Sequence, residues 1–253
     1  MKWEQSETKS LLFACAAILF VMIILLAIPQ GNTQQKGPIQ LFNGKNLDGF
    51  YVLLRNGETK ELRKINEDPF NVISVRDGMV CVTGREFGHF ITKNAYENYR
   101  LVVEWKWGEM TWEPRKEKAR DSGILIHCVP PDKVWNKSIE YQIIEGGTGD
   151  YICVDGASLT VGDTTRTSGR FDRYNKGPWE DRLGFRHEKY ECDKPVGEWN
   201  ISEIICNGDK ITNIVNGVVV NEGRGANPSK GQILFQSECA EIFFRKIELH
   251  NLQ

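Results

Sequence analysis

Four polar side chains on two successive strand-like segments could carry chemistry in this chain. Strand-like alternation places Asp121 and His127 on one face of a first segment. In the next segment it places Glu140 and Gln142 on the face opposite the apolar residues. A histidine, a carboxylate and a carboxamide on neighbouring strands could bind a divalent metal ion, or act in general acid–base catalysis. The sequence therefore predicts one site at His127, Glu140 and Gln142.

A second carboxylate, Glu145, follows three residues after Gln142. In the alternation of this strand, Glu145 falls on the same face as the core residues. Its side chain reaches the face of Glu140 only if a β-bulge intervenes, and bulges are common beside active sites. We expect a catalytic set of His127, Glu140 and Glu145, and one divalent metal ion on His127, Glu140 and Gln142. The structural alternative is a solvated cross-strand pair of His127 and Glu140, and spacing alone leaves both interpretations open. No other cofactor is indicated.

The elements that must position these residues are β-strands. Alternation of period two recurs between glycine and asparagine turns, and no stretch of residues 39–253 has a convincing helical pattern of ten residues or more. Each strand has one apolar face to bury, so we expect a two-layer sandwich of antiparallel sheets. The clearest alternating segments are 99–107, 123–127, 138–144, 201–206, 210–215, 218–221, 232–236 and 240–249.

Residues 162–195 break this rhythm. They combine aromatic and charged side chains without a clear period. A loop of this length in a compact domain is usually functional or disordered, and its aromatic content argues against disorder. We therefore expect an excursion that folds over a binding face, with a solvated surface loop as the alternative.

Composition excludes several classes of protein. The 253 residues include 32 basic and 34 acidic side chains, a formal net charge of −2, without a block of like charge. A nucleic-acid partner is not expected, because phosphate binding needs a basic face. The six cysteines after residue 38 include no C-x-x-C pair, so a zinc cage or a thioredoxin-like motif has little support. No disulfide connectivity is predicted.

After ten largely polar residues the chain has an unbroken apolar run over residues 11–28. As a helix it would reach about 27 Å, close to the thickness of a bilayer core. We expect residues 1–29 to be a signal peptide or a signal anchor, 30–38 a polar linker, and 39–253 one folded domain outside the membrane. Whether the segment is cleaved stays open, and an uncleaved segment would make the membrane a partner.

An ordered set of motifs resembles the 3-keto-disaccharide hydrolase domain family, which occurs in exported bacterial proteins. The motifs are Leu41-Phe-Asn-Gly-Lys45, Asp77-Gly-Met-Val80, Asp121-Ser-Gly-Ile124, Ile139-Glu-Tyr-Gln142, Gly197-Glu-Trp-Asn200, Asn216-Gly217 and Phe244-Arg-Lys-Ile247. The resemblance implies a concanavalin A-like jelly-roll sandwich and an enzyme that acts on glycosides oxidised at C3. It also implies the periplasmic or extracellular side of a bacterial cell envelope. Many members have arginine where this chain has His127, and the 162–195 excursion marks a subgroup.

The spacing Glu140-x-Gln142-x-x-Glu145 also resembles the E-x-D-x-x-E strand of glucanases with this fold, in which two glutamates act as nucleophile and acid–base. Glutamine replaces the aspartate here, which puts hydrolysis of an unoxidised glucan in doubt. A 3-keto group acidifies the C2 proton, so one base and one electrophile at the ketone are enough for elimination. On this hypothesis, His127, Glu140 and Gln142 hold a cation or polarise the ketone, and Glu145 or His127 is the base.

The partner that follows from this hypothesis is a carbohydrate substrate. Further substrate-binding candidates, in addition to Gln142, are Asp121, Lys93, Trp135, Trp179, Arg182 and Arg245. The main alternative is a non-catalytic carbohydrate-binding module, since jelly rolls also serve as lectins and tryptophans can stack on sugar rings. A third alternative is an envelope interaction domain, which would have no pocket.

Overall fold

The structure, a computed structural model, describes residues 37–173 and 179–252. The predicted signal or anchor helix of residues 1–29 lies outside this part of the chain, as does most of the predicted linker. Residues 38–253 form one compact unit. Within the described ranges, no helix is long and apolar enough to cross a membrane.

The described residues form β-strands, as the alternation predicts. Their bounds are β1 Ile39–Gln40, β2 Phe50–Leu54, β3 Ile73–Arg76, β4 Met79–Val82, β5 Gly88–Thr92, β6 Tyr99–Thr111, β7 Asp121–Val129, β8 Lys137–Ile144, β9 Tyr151–Val154, β10 Ser158–Val161, β11 Thr164–Arg166, β12 Gly169–Phe171, β13 Asn200–Asn207, β14 Lys210–Val215, β15 Val218–Asn227, β16 Gln232–Ser237 and β17 Ala240–Asn251.

Two antiparallel sheets make the sandwich. In the part of the chain that the structure describes, one sheet has the order β11-β10-β15-β14-β13-β6-β17-β4-β3, with β1 paired to β17. The other has the order β12-β9-β8-β7-β16-β5-β2. Strands β7 and β8 are adjacent, as the sequence suggests, but the other neighbour of β7 is β16, about 110 residues further along the chain.

The core lies between the two sheets and is rich in aromatic rings. Phe90 and Phe235 of the seven-stranded sheet stack with ring centroids 4.7 Å apart and planes at 9°. Phe244 of the facing sheet meets both rings edge-on, at 5.8 Å and 5.5 Å. Each buried phenylalanine contributes about 1.5–3 kcal/mol relative to an exposed one. This packing fixes which face of the seven-stranded sheet points outward.

Two of the turns between strands have the backbone conformation that their residue types favour. Asp77-Gly78 and Asn216-Gly217 have positive φ at both residues, the conformation of a two-residue hairpin turn, and each joins two antiparallel strands. The six cysteines of the described residues are free thiols, and all but Cys192 are buried.

Strand β7 contains a bulge that the sequence does not reveal. Its register with β8 pairs Ile126 with Ile139 but Val129 with Lys137, so three steps on one strand oppose two on the other. The register with β16 shifts at the same place. The bulged residue His127 has a positive φ of 58°. A bulge of this kind reverses the face on which the following side chains lie.

Candidate active site

The candidate site lies on the outer face of the seven-stranded sheet. The register opposes Gly123 to Gln142 and Leu125 to Glu140, so these positions share one face of β7 and β8. Alternation brings Asp121 to the same face, and Gln236 of β16 lies on the other side of Gly123. The structure thus brings three of the predicted site residues, Glu140, Gln142 and Asp121, together on this face.

Gly123 provides the space in which two side chains meet. A Cβ atom at this position would lie 2.3 Å from Oε1 of Glu140 and 2.6 Å from Oε1 of Gln236. These distances are far below van der Waals contact, so with any other residue at this position the side-chain ends of Glu140 and Gln236 would have to move away from it. The glycine in Asp121-Ser-Gly-Ile124 therefore has a local steric reason.

A cavity of about 350 Å³ opens above this floor. Its lining combines acidic, basic, amide and aromatic side chains, and Trp135 and Trp179 both contribute to it. The lining residues are Arg115, Asp121, Trp135, Glu140, Gln142, Ile144, Ile152, Val154, Arg170, Trp179, Asp181, Gln236 and Glu238. Its volume is at the lower end of the range for small-molecule sites.

Asp121 is a buried carboxylate with several partners. Its Oδ1 accepts a hydrogen bond from Nε2 of Gln142, and its Oδ2 lies 3.1 Å from a guanidinium nitrogen of Arg115. Burial raises the pKa of Asp121 to about 7, although Arg115, Arg170 and Gln142 favour the ionised form. Asp121 is therefore poised between its two protonation states near neutral pH.

Two further carboxyl groups share the cavity. Burial, with a smaller contribution from the charge of Asp121, raises the pKa of Glu140 to about 8. Burial and the charges of Asp121 and Glu140 raise the pKa of Glu238 well above its ordinary value. Glu238 is also bridged to Asp121 through the backbone. Like charges so close cannot all ionise, so the cluster holds an ionisable carboxylate in Asp121 and a protonated carboxyl group in Glu140 near neutral pH.

Two arginines favour ionisation of this cluster and oppose the effect of burial on its pKa values. Arg115 also lies 3.1 Å from Asp181 and donates to the backbone oxygen of Ala119. Arg170 pairs with Asp150, and its guanidinium carbon lies 4.7 Å from the ring centroid of Trp179. The charge of Arg170 favours the ionised forms of Asp121 and Glu140.

His89, a residue not predicted from the sequence, lies beside this face. It is the cross-strand partner of Gln236 and is fully buried. Its Nδ1 is 3.0 Å from the carbonyl oxygen of Val134, which only accepts, so Nδ1 carries the proton. Burial lowers the pKa of His89 to about 4, so the ring is neutral at physiological pH.

The expectation that His127 shares a face with Glu140 is wrong. The bulge turns its ring toward the core, where it meets Tyr99 edge-on with centroids 5.7 Å apart. Its Nδ1 is 3.2 Å from the carbonyl oxygen of Pro228. Burial lowers the pKa of His127 to about 4. His127 does not line the cavity, so the predicted set of His127, Glu140 and Gln142 is not assembled.

Glu145 also lies elsewhere. No bulge separates it from Glu140, and its parity keeps it off the face of the site. Its carboxylate lies 2.8 Å from a guanidinium nitrogen of Arg120 and accepts bonds from the backbone nitrogens of Arg120 and Gly184, at 3.0 Å and 2.8 Å. The expected convergence of Glu140 with Glu145 is therefore not found.

Three predicted substrate-binding residues are not part of the cavity lining. Lys93 is exposed beyond the end of β5. Arg182 is exposed and pairs with Glu180. Arg245, on the ten-stranded sheet, bonds Glu104 at 2.6 Å and lies over Trp199. Trp135 and Trp179, by contrast, line the cavity.

Five further polar residues line the cavity without having been predicted from the sequence: Arg115, Arg170, Asp181, Gln236 and Glu238. Alternation places Gln236 and Glu238 on one face of their segment, but nothing local indicates that this segment pairs with β7. Asp181 lies in the 162–195 excursion, part of which does cover a polar cavity, as expected. Arg115 lies in a connection without periodicity, so no sequence signal marks it.

The predicted metal site does not fit the structure. His127 is turned away, and Gln142 directs its amide nitrogen toward Asp121. Across residues 37–173 and 179–252, no group of three or more His, Cys, Asp or Glu side chains is arranged to hold a metal ion.

Fold and site together define a class of protein. It is a two-sheet antiparallel jelly-roll sandwich with a carboxyl-lined cavity on the outer face of one sheet. A candidate glycosyl hydrolase from Parabacteroides distasonis is similar in fold, with a TM-score of 0.54 and 18% identity over 87% of this chain and 96% of its own. A second structure from this organism, described in the same way, has a TM-score of 0.52 and 22% identity over 85% and 99%.

The family follows from the sequence. The family model of the 3-keto-alpha-glucoside-1,2-lyase-like domain matches residues 37–250, and the chain belongs to this family. The resemblance inferred from the motifs is thus confirmed. A β-glucanase from Bacillus licheniformis is also similar, with a TM-score of 0.47 and 12% identity over 86% of this chain and 99% of its own. None of the curated proteins matches the chain.

Proposed function

We propose that this chain cleaves 3-keto-glycosides by elimination at its carboxyl cluster of Asp121, Glu140 and Glu238. The observation that carries the proposal is the presence of these three groups in one cavity, where the pKa of Asp121 is raised to about 7, that of Glu140 to about 8 and that of Glu238 well above its ordinary value. Perturbed carboxyl groups converging in a cavity are typical of catalytic sites. The family name supports the substrate class.

The chemistry needs a base and an acid at separate positions. A ketone at C3 makes the C2 proton acidic, and the carboxylate of Asp121 removes it. The electron pair of the C2–H bond forms the C1–C2 double bond as the C1–O bond breaks. The departing oxygen takes its proton from Glu238, so the proton count balances and the site ends with one proton moved from Glu238 to Asp121.

Glu140 has a different role in this proposal. Its pKa of about 8 keeps it protonated at neutral pH. A neutral carboxyl group can donate a hydrogen bond to the ketone oxygen, on which negative charge develops as the C2 proton leaves. Arg170, whose charge acts on Asp121 and Glu140, also stabilises the developing enolate.

The remaining lining suits a sugar. Trp135 and Trp179 offer apolar ring faces, and Gln142 and Gln236 offer amide groups for hydroxyls. Such a mixture of apolar walls and a few polar groups is the usual composition of small-ligand sites.

The test is turnover of a 3-keto-glucoside with a chromophoric aglycone. We expect the purified chain to release the aglycone and to leave the unoxidised glucoside intact. Glu140→Gln should lower kcat/KM by about 10²- to 10⁴-fold, the range for one acid–base group. Glu104→Gln, on the outer face of the other sheet and paired with Arg245, is the matched control and should keep the parent rate.

The same assay separates elimination from hydrolysis. Elimination yields an unsaturated ketone, which absorbs in the near ultraviolet, whereas direct hydrolysis yields a 3-keto-sugar without that absorption. Binding of the keto-glucoside without turnover would favour the alternative of a carbohydrate-binding module, for which the two tryptophans of the cavity would be the platforms.

The expected divalent metal ion stays a prediction, and the assay tests it. Turnover is measured after extensive chelation and again after restoring a divalent ion. Loss and recovery of activity would require ligands other than the predicted set, because His127 does not lie in the cavity.

We further propose that the domain acts on the periplasmic or extracellular side of a bacterial envelope. The apolar run of residues 11–28 supports this location. Protease treatment of intact and permeabilised cells tests it: a domain outside the inner membrane is digested once the outer barrier is opened, whereas a cytoplasmic domain stays protected.

A further inference from the structure

A second cavity lies at the end of the sandwich, between β6 and the last part of the 162–195 excursion. Its volume is about 300 Å³, and it shares no lining residue with the candidate active site. The lining residues are Trp107, Glu145, Gly146, Gly184, Phe185, Arg186, Glu191, Asp193, Lys194, Pro195 and Val196. Its occupant can therefore be considered separately from the sugar site.

The acidic side chains of this cavity are already satisfied from within the protein. Glu145 is held by Arg120 and by the backbone nitrogen of Gly184. Glu191 lies 2.9 Å from Arg173. These carboxylates have their hydrogen-bonding capacity committed, so they do not present a free negative surface to a ligand.

Asp193 is compensated in the same way. It accepts a hydrogen bond from the hydroxyl of Thr148 and lies 3.5 Å from Arg173. Burial raises its pKa to about 7, which further reduces its negative charge near neutral pH.

Two hydrogen-bond donors of the cavity have no acceptor among the described residues. The indole nitrogen of Trp107 is buried and has no hydrogen-bond partner among the described residues, and this residue is only 2% exposed. The ammonium of Lys194 forms no ion pair within residues 37–173 and 179–252. Arg186 donates to a backbone oxygen, that of Asp193. A buried N–H without an acceptor costs about 1–3 kcal/mol of folding stability, so the unpaired indole N–H of Trp107 destabilises the fold.

We propose that this second cavity binds a small oxyanion, with the indole N–H of Trp107 as a buried donor and Arg186 and Lys194 as the charged groups at the exposed side. An oxyanion supplies the acceptor that Trp107 and Lys194 lack and a negative partner for Arg186, and charge-assisted bonds of this kind are the stronger class. The proposal concerns binding and does not depend on the proposed elimination.

The cavity is connected to the active site through one turn of the chain. A Cβ atom at Gly146 would lie 2.3 Å from the ring of Phe185 and 3.5 Å from that of Trp179. The indole of Trp179 donates to the backbone oxygen of Glu145 at 2.9 Å. Phe185 lines the second cavity and Trp179 lines the first, so an anion in one fixes the segment that forms a wall of the other.

Nuclear magnetic resonance of the indole N–H groups tests the binding directly. The signal of Trp107 is the one that disappears in Trp107→Phe, and inorganic phosphate and acetate are titrated at constant ionic strength with chloride. We expect a saturable shift of that signal with at least one of the two anions. Lys194→Gln, a change at an exposed residue, should raise the Kd by about tenfold, the loss of one charge-assisted bond.

Lys189→Gln is the matched control, because Lys189 is an exposed lysine of the same segment that does not line the cavity. Its Kd should equal that of the parent. Failure of both anions to shift the Trp107 signal saturably would overturn the proposal, as would equal Kd values for the parent and Lys194→Gln. Neither result bears on turnover of a keto-glycoside, so the two proposals fail independently.

Discussion

Gln142 donates a hydrogen bond from its side-chain nitrogen to Oδ1 of Asp121, across the pair of strands β7 and β8. The bond favours the ionised form of Asp121 and opposes the effect of burial, which is the larger of the two. It also leaves Oε1 of Gln142 without a partner in the described part of the molecule. One glutamine thus helps to set the pKa of the proposed base.

The first prediction concerns this bond. In Gln142→Leu, Asp121 loses a donor to its carboxylate, so its pKa rises above about 7. The acidic limb of the pH profile of kcat/KM should therefore move to higher pH, with activity recovered in part at alkaline pH. An unchanged acidic limb in a folded Gln142→Leu protein would show that Asp121 is not the base.

A second prediction concerns the leaving group. If Glu238 protonates the departing oxygen, Glu238→Gln should hardly affect substrates with an acidic aglycone such as nitrophenol. Substrates with an alkyl aglycone, which needs the proton, should react about 10²-fold or more slowly. Kinetics across a series of aglycones measure this difference. Equal losses for all aglycones would assign Glu238 to binding or structure instead.

The buried carboxyl of Glu140 makes stability depend on pH. Its folded-state pKa of about 8 is above its ordinary value of 4.5, so the folded state binds more protons than the unfolded state between these values. Stability contributed by the protonated form is therefore lost as pH rises toward 8.

Replacing Glu140 with glutamine removes this loss. The Tm of Glu140→Gln minus that of the parent should increase between about pH 5 and pH 8, and each kcal/mol corresponds to about 2–4 °C for a domain of this size. Thermal melts at several pH values measure it. A difference that does not vary with pH would place the pKa of Glu140 in the ordinary range.

The strand pattern predicted the fold well, because period-two alternation marks the buried face of each strand wherever the register is regular. Alternation also predicted that Glu140 and Gln142 share a face, as the structure confirms. It failed at His127, because the bulge after Ile126 inserts one residue and reverses the parity. Composition contains no signal for that insertion.

The other half of the site could not be predicted for a different reason. Glu238 and Gln236 come to Asp121 and Gly123 through pairing of β16 with β7, which are distant in sequence. Long-range strand order depends on the packing of the whole sandwich, and one sequence does not reveal it. Glu145 shows the opposite error, a residue predicted for the site that lies elsewhere. Its spacing from Glu140 resembles that of the two glutamates in a catalytic strand, but its carboxylate is bound to Arg120.

A fourth prediction distinguishes the corrected position of His127 from the expected one. His127→Leu removes a buried ring that packs on Tyr99 and a hydrogen bond to Pro228. It should destabilise the fold by about 1–3 kcal/mol while leaving kcat of the folded protein near the parent value. Denaturant unfolding and turnover on the same preparation measure both. A folded variant without turnover would restore His127 as a catalytic residue.

The central claim is that the C2 proton of a 3-keto-glycoside is removed in the cavity of Asp121, Glu140 and Glu238. The most direct measurement compares kcat/KM for the keto-glucoside with hydrogen and with deuterium at C2, for a substrate whose aglycone leaves readily. The account predicts slower release of the aglycone from the deuterated substrate. Equal rates, accompanied by a product without the absorption of an unsaturated ketone, would contradict elimination and indicate that C1 is attacked directly.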